Sequence, residues 1–138
     1  MSDLSRFLSA QQHSYATALS EIRQGRKRSH WMWYIFPQID GLGSSSTARF
    51  YAIRDLDEAK AYLKDPVLGR RLIEISQALL ELPETDPTAV FGWPDDLKLR
   101  SCMTLFSHAD PTETVFARVL EKYYGGNEDE RTIAILSE

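Results

Sequence analysis

The stretch Asp65-Pro66-Val67-Leu68-Gly69-Arg70-Arg71-Leu72-Ile73-Glu74-Ile75-Ser76-Gln77-Ala78-Leu79-Leu80-Glu81-Leu82 decides the fold class. Leu68, Leu72, Ile75, Leu79 and Leu82 recur at helical spacing and form one apolar stripe, the mark of a helix with a buried face. Asp65 offers a carboxylate to the first unpaired amides, and Pro66 sits at the first helical position, where a missing N–H costs nothing. The same Asp-Pro punctuation returns at Asp86-Pro87 and Asp110-Pro111. A second stripe follows the last of these: Val115, Phe116, Val119, Leu120 and Tyr123.

Working outward, Leu4, Leu8, Tyr15, Ala18, Leu19 and Ile22 keep helical spacing, with Gln11 as a polar exception. Gly25 ends that helix by supplying a left-handed residue. Asp55 with Glu58, Asp110 with Glu113, and Asn127 with Glu130 have the spacing of capping boxes. Helices are predicted over 4–24, 56–64, 66–82, 87–91, 95–107, 111–124 and 128–137. No hairpin signal with alternating flanks is present. The predicted fold is all-α, a compact single domain over residues 1–138 built from about seven short to medium helices.

The run His30-Trp31-Met32-Trp33-Tyr34-Ile35-Phe36 is apolar on every side after His30. Its aromatic content and Pro37 suit a short buried strand. A short buried helix fits equally, and is preferred because no partner strand is evident. Residues 40–47 read as a loop capping a short helix over 48–53.

The chain has 138 residues, enough for one domain with its own core and too few for two. Its 43% hydrophobic and 26% charged residues exclude a disordered chain. The lone cysteine, Cys102, excludes an internal disulfide and any multi-cysteine zinc or iron–sulfur site. No apolar run reaches the roughly 20 residues of a membrane span, and the first residues do not read as a secretion signal. A cytoplasmic location, no membrane, no metal and no cofactor are the expectations.

The net charge of −4 disfavours a duplex-DNA binder, which needs a positive face. The average conceals an asymmetry. Residues 22–39 hold Arg23, Arg26, Lys27 and Arg28 and no acid, so that stretch is +4 and the remainder −8.

The run from Gly25 through Arg26-Lys27-Arg28-Ser29-His30-Trp31-Met32-Trp33-Tyr34-Ile35-Phe36-Pro37 to Gln38, followed by Gly41-Leu42-Gly43, resembles a bacterial family known as domain of unknown function 1810. The likeness extends through Gln11, Tyr51-Ala52-Ile53, Glu58-Ala59, Tyr62-Leu63, Leu68-Gly69, Arg71-Leu72, Lys98-Leu99, Thr104-Leu105-Phe106, Gly126, Asp129 and Thr132. It implies a compact, mainly helical fold and no established activity. Family members often carry a small residue at the position of Cys102, which implies no nucleophile there.

The candidate site residues centre on that run. Arg26 and Lys27 suit a phosphate or carboxylate, the first through a planar fork of donors and the second as a point charge. Trp31 and Trp33 offer ring faces for stacking, although most aromatics in such a run belong to the core. His30 has the side chain best matched to acid–base work near neutrality and is the catalytic candidate. Gln38 adds hydrogen bonding. Ser45 belongs to a glycine- and serine-rich loop able to wrap an anion. Lys98, Ser101 and Thr104 share one helix face, and such an edge can line a pocket.

Two functions follow. One is a pocket for an anionic small molecule, phosphorylated or nucleotide-like. The other is a noncatalytic interaction domain for a protein or single-stranded RNA. Convergence of Lys27, His30 and Lys98 on one concavity separates them. No residue set reaches the specificity of a metal motif or a nucleophile elbow, so no reaction is assigned.

Overall fold

The computed structural model describes residues 3–138, and they form ten helices. These are α1 (Ser5–Gln11), α2 (Tyr15–Arg23), α3 (Met32–Ile35), α4 (Ser46–Tyr51), α5 (Leu56–Lys64), α6 (Leu68–Glu81), α7 (Pro87–Phe91), α8 (Asp95–Ala109), α9 (Val115–Tyr124) and α10 (Glu130–Leu136). No strand occurs among the described residues; the nearest thing to one is a single parallel bridge between Ile39 and Ile53. The all-α class therefore holds, but the expected number of about seven helices does not.

Three extra helices account for the difference. The predicted helix over 4–24 is broken at residues 12–14. On either side of the break, Gln11 donates to the Tyr34 carbonyl at 2.8 Å and Ser14 accepts from the Tyr34 hydroxyl at 3.0 Å. The chain bends around that tyrosine, and tertiary bonding overrides the local pattern. The other two are the short α3 and α4; the aromatic run is helical, as preferred over a strand, and the short helix expected over 48–53 runs over Ser46–Tyr51, but neither is among the seven.

Most helix ends follow the punctuation, although α6 begins at Leu68 and leaves Pro66 in the turn before it. Asp55, Asp65 and Asp86 accept from the amides of Glu58, of Val67 and Leu68, and of Thr88, at 2.9–3.0 Å. At Gly25, with φ at +85°, the amide bonds to Ile22 O and that of Arg26 to Glu21 O, a paired closure that satisfies two free carbonyls. Asp110, by contrast, closes a turn with Thr112, and α9 starts only at Val115. Asn127 is not the cap of α10. It donates to Tyr124 O, while Asp129 takes the cap and accepts from Thr132 N at 3.0 Å.

α8 is the central helix and packs on α5, α7, α9 and α10. Its buried face carries Leu99, Cys102, Met103, Leu105 and Phe106. α6 packs on α2, α5 and α9. The Lys122 ammonium reaches from α9 to the last carbonyls of α6, donating to Leu79 O at 2.9 Å, Leu80 O at 3.1 Å and Leu82 O. A chain of rings crosses the core: Phe7 meets Tyr62 edge-on at 5.2 Å, Tyr62 meets Phe106 at 5.3 Å, and Phe106 meets Phe116 at 5.9 Å.

Candidate functional site

The basic turn at 25–30 is built around an acid. Glu21, a buried residue of α2, accepts from Arg28 N at 2.7 Å, Ser29 N at 2.9 Å, Ser29 Oγ at 2.6 Å and Trp31 Nε1 at 2.9 Å. Burial alone pushes its carboxyl up, but the four donors outweigh it and hold the group down at about 2. The loop is thus wrapped on a carboxylate that stays ionised. Lys27 turns inward too: its ammonium lies 2.9 Å from Asp95 Oδ2 and donates to Ser29 O at 2.6 Å. Arg26, Arg28 and His30 are exposed.

A pocket of about 330 Å³ lies between α8 and the segment that follows α3. One wall is the 38–52 segment. The Ile39–Ile53 bridge holds its two ends together, with Ile53 N donating to Gln38 O and Asp40 N to Ile53 O, both at 2.8 Å. From it come Gln38, Asp40, Leu42, Ala48 and Tyr51. The opposite wall is α8, with Pro94, Leu97, Lys98, Arg100 and Ser101. Trp33 closes one end, and Asp129 and Arg131 border the pocket from α10.

The cations of the pocket differ in how they are held. Lys98 Nζ sits 3.8 Å from the centre of the Trp33 ring and 3.3 Å from Asp95 Oδ1. One carboxylate therefore serves two lysines. Arg131 is exposed and unpaired among the described residues. Arg100 extends along Tyr124, 5.8 Å from the ring centre, and its Nε is buried with no hydrogen-bond partner among the described residues. A buried donor left unpaired costs about 1–3 kcal/mol, more when charged. Asp129 is tied up: its Oδ2 accepts from Thr132 N and, at 2.6 Å, from Thr132 Oγ1.

Of the ten residues singled out from the sequence, the pocket unites Trp33, Gln38, Lys98 and Ser101. Thr104 stands behind it, buried. Its hydroxyl donates to Arg100 O at 2.8 Å and accepts from Asp129 N at 2.9 Å, locking α8 to the start of α10. Ser45 caps α4 by accepting from Ala48 N at 3.1 Å. Trp31 is 1% exposed and leaves no face for a ligand, so it belongs to the core. Lys27, His30 and Lys98 do not converge: only Lys98 lines the pocket, Lys27 is paired behind it, and His30 and Arg26 face outward. Trp33 is no free platform either, since an ammonium covers its ring. Cys102 is fully buried, and burial pushes its thiol well above the ordinary range, which leaves it inert.

Arg100, Arg131 and Leu97 were not singled out from the sequence, and Tyr51 entered only through the family likeness. Arg100 carried one usable signal, its place four residues before Thr104 on a helix otherwise rich in buried groups. Arg131 carried none, because α10 reaches the pocket only through the fold.

The architecture is shared with known proteins. The chain belongs to the family described as Protein of unknown function (DUF1810), whose model matches residues 1–136. It is similar throughout to the crystal structure of the conserved hypothetical protein Rv1873 from Mycobacterium tuberculosis. The identity is 48% over 99% of this chain and 97% of that one, with a TM-score of 0.96. A comparison with curated proteins finds no match. Among the described residues, no helix is long and apolar enough to cross a membrane.

Proposed function

We propose that the pocket binds a phosphorylated, nucleotide-like small molecule, with its anionic group on Arg100 and Arg131 and its ring among Leu42, Tyr51 and Leu97. The observation that carries this reading is the gathering of Lys98, Arg100 and Arg131 around one largely apolar pocket, with the Arg131 side chain unpaired among the described residues. Three cations face two carboxylates there, one of them already occupied by Thr132. The volume of about 330 Å³ lies at the small end of ligand pockets, suiting a mononucleotide. Lys98 and Gln38 would complete the polar contacts.

The test is a melting-temperature series with inorganic phosphate, AMP and UMP, followed by titration calorimetry. A nucleotide at about 100 times its dissociation constant should stabilise by about 2.7 kcal/mol. For a domain of this size that is a rise of roughly 8 °C. Arg100→Ala should weaken binding roughly 10- to 100-fold, the worth of a charge-assisted hydrogen bond. No shift with any compound at millimolar concentration counts against the pocket reading.

A second reading rests on Trp93, which is 77% exposed. Lys27 N donates to Val90 O at 2.8 Å, so the segment bearing Trp93 adjoins the turn bearing Arg26 and Arg28. An exposed indole beside unpaired arginines suits single-stranded RNA. Fluorescence polarisation with a labelled single strand at rising salt tests it, and absence of binding at low salt eliminates it.

A further inference from the structure

The wall at the α10 end of the pocket has two sides. Arg100, Asp129 and Arg131 line the 330 Å³ pocket and also a second, open hollow of about 700 Å³. The two hollows have opposite characters. The pocket holds three cations against two carboxylates and is largely apolar between them. The outer hollow holds the same two arginines against Glu128, Asp129 and Glu130, with Asn127 beside them. Glu128 is engaged by His108 at 2.8 Å, whereas the Glu130 side chain has no partner among the described residues. An anion is therefore favoured at the shared wall and on the pocket side. Beyond the wall, free carboxylate and amide oxygens accept hydrogen bonds and repel further negative charge.

Building on the pocket reading, we infer that the ligand straddles this wall: a nucleoside diphosphate sugar, with its base in the pocket, its pyrophosphate at Arg100 and Arg131, and its sugar hydroxyls on Asn127 and Glu130. A small pocket alone would be filled by a mononucleotide. Arg100 and Arg131 line both hollows, so their shared wall is where the charged middle of such a molecule would lie. A third phosphate in place of the sugar would meet Glu130 and be penalised.

Calorimetry with AMP, ADP, ATP and ADP-glucose, repeated with the uridine series, tests this. The expected order is diphosphate sugar tightest, at least roughly tenfold tighter than the monophosphate, with the triphosphate weaker than the diphosphate. Glu130→Gln should selectively raise triphosphate affinity, by roughly threefold or more, because it removes the repelling charge from an exposed side chain. A diphosphate sugar no tighter than the diphosphate in both series, or a triphosphate that binds as tightly as the sugar, overturns the inference. If the monophosphate still binds and Arg100→Ala still weakens it, the pocket reading survives that result. Silence from every compound overturns both.

Discussion

Glu21→Ala is expected to lower the free energy of unfolding by about 3–5 kcal/mol, a large share of the 5–15 kcal/mol typical of a domain. Four donors converge on this carboxylate: two backbone amides, a hydroxyl and the Trp31 indole. Alanine leaves the indole N–H buried without an acceptor and opens a cavity beneath the basic turn. Glu21→Gln keeps the volume but points an NH2 at donors, so it should recover only part of the loss. The pH dependence has a definite sign. The carboxyl sits at about 2 in the folded protein against an ordinary 4.5. A lowered pKa adds stability above about pH 4.5, and that stability drains as pH falls toward 2. The contribution is about 3 kcal/mol, and Glu21→Gln should show a flatter acid limb. Urea unfolding between pH 7 and pH 3, followed by tryptophan emission, measures both effects. A loss under about 1 kcal/mol for the alanine variant would mean that the turn finds other acceptors.

Gly69→Ala should cost about 3 kcal/mol or more, although alanine is the better helix former by about 1 kcal/mol. The conflict is decided by a close approach. A Cβ on Gly69 would stand 2.0 Å from Leu63 O and 2.8 Å from Leu63 C. These are backbone atoms of α5 and cannot swing aside, so the joint between α5 and α6 must open. Buried Tyr62 and Leu68 lie next to that joint and would lose packing. Thermal or urea unfolding measures the change, and an unchanged or raised midpoint would show that the joint yields without cost.

Much of the helical scaffold was legible because its signals are local. Leu68 to Leu82 announced α6, and Asp55, Asp65 and Asp86 marked helix starts through bonds spanning two or three residues. What was not legible came from contacts between distant segments. Nothing between residues 4 and 24 shows that Gln11 and Ser14 both bond to Tyr34 and so bend the helix. The charge asymmetry was real, but its meaning was inverted. Glu21, just outside the acid-free stretch, orders the cationic turn, and Asp95 takes the lysine within it. The pocket instead gathers Trp33 and Gln38 near one quarter of the chain, Lys98 to Ser101 beyond two thirds, and Arg131 near its end. Only the Lys98–Ser101 part has a spacing that local periodicity can detect.

Two residues of the shared wall, Asp129 and Arg131, accompany a helix of only seven residues. An element that short has no stability of its own in water. It persists through the Thr104 hydroxyl under Asp129 and through Ile135 and Leu136 against the core. Fraying of α10 and dismantling of the wall are therefore one event, and its free energy is paid out of binding. A bound molecule would suppress that opening, so amide exchange over residues 130–136 should slow in proportion to occupancy while exchange in α8 hardly changes.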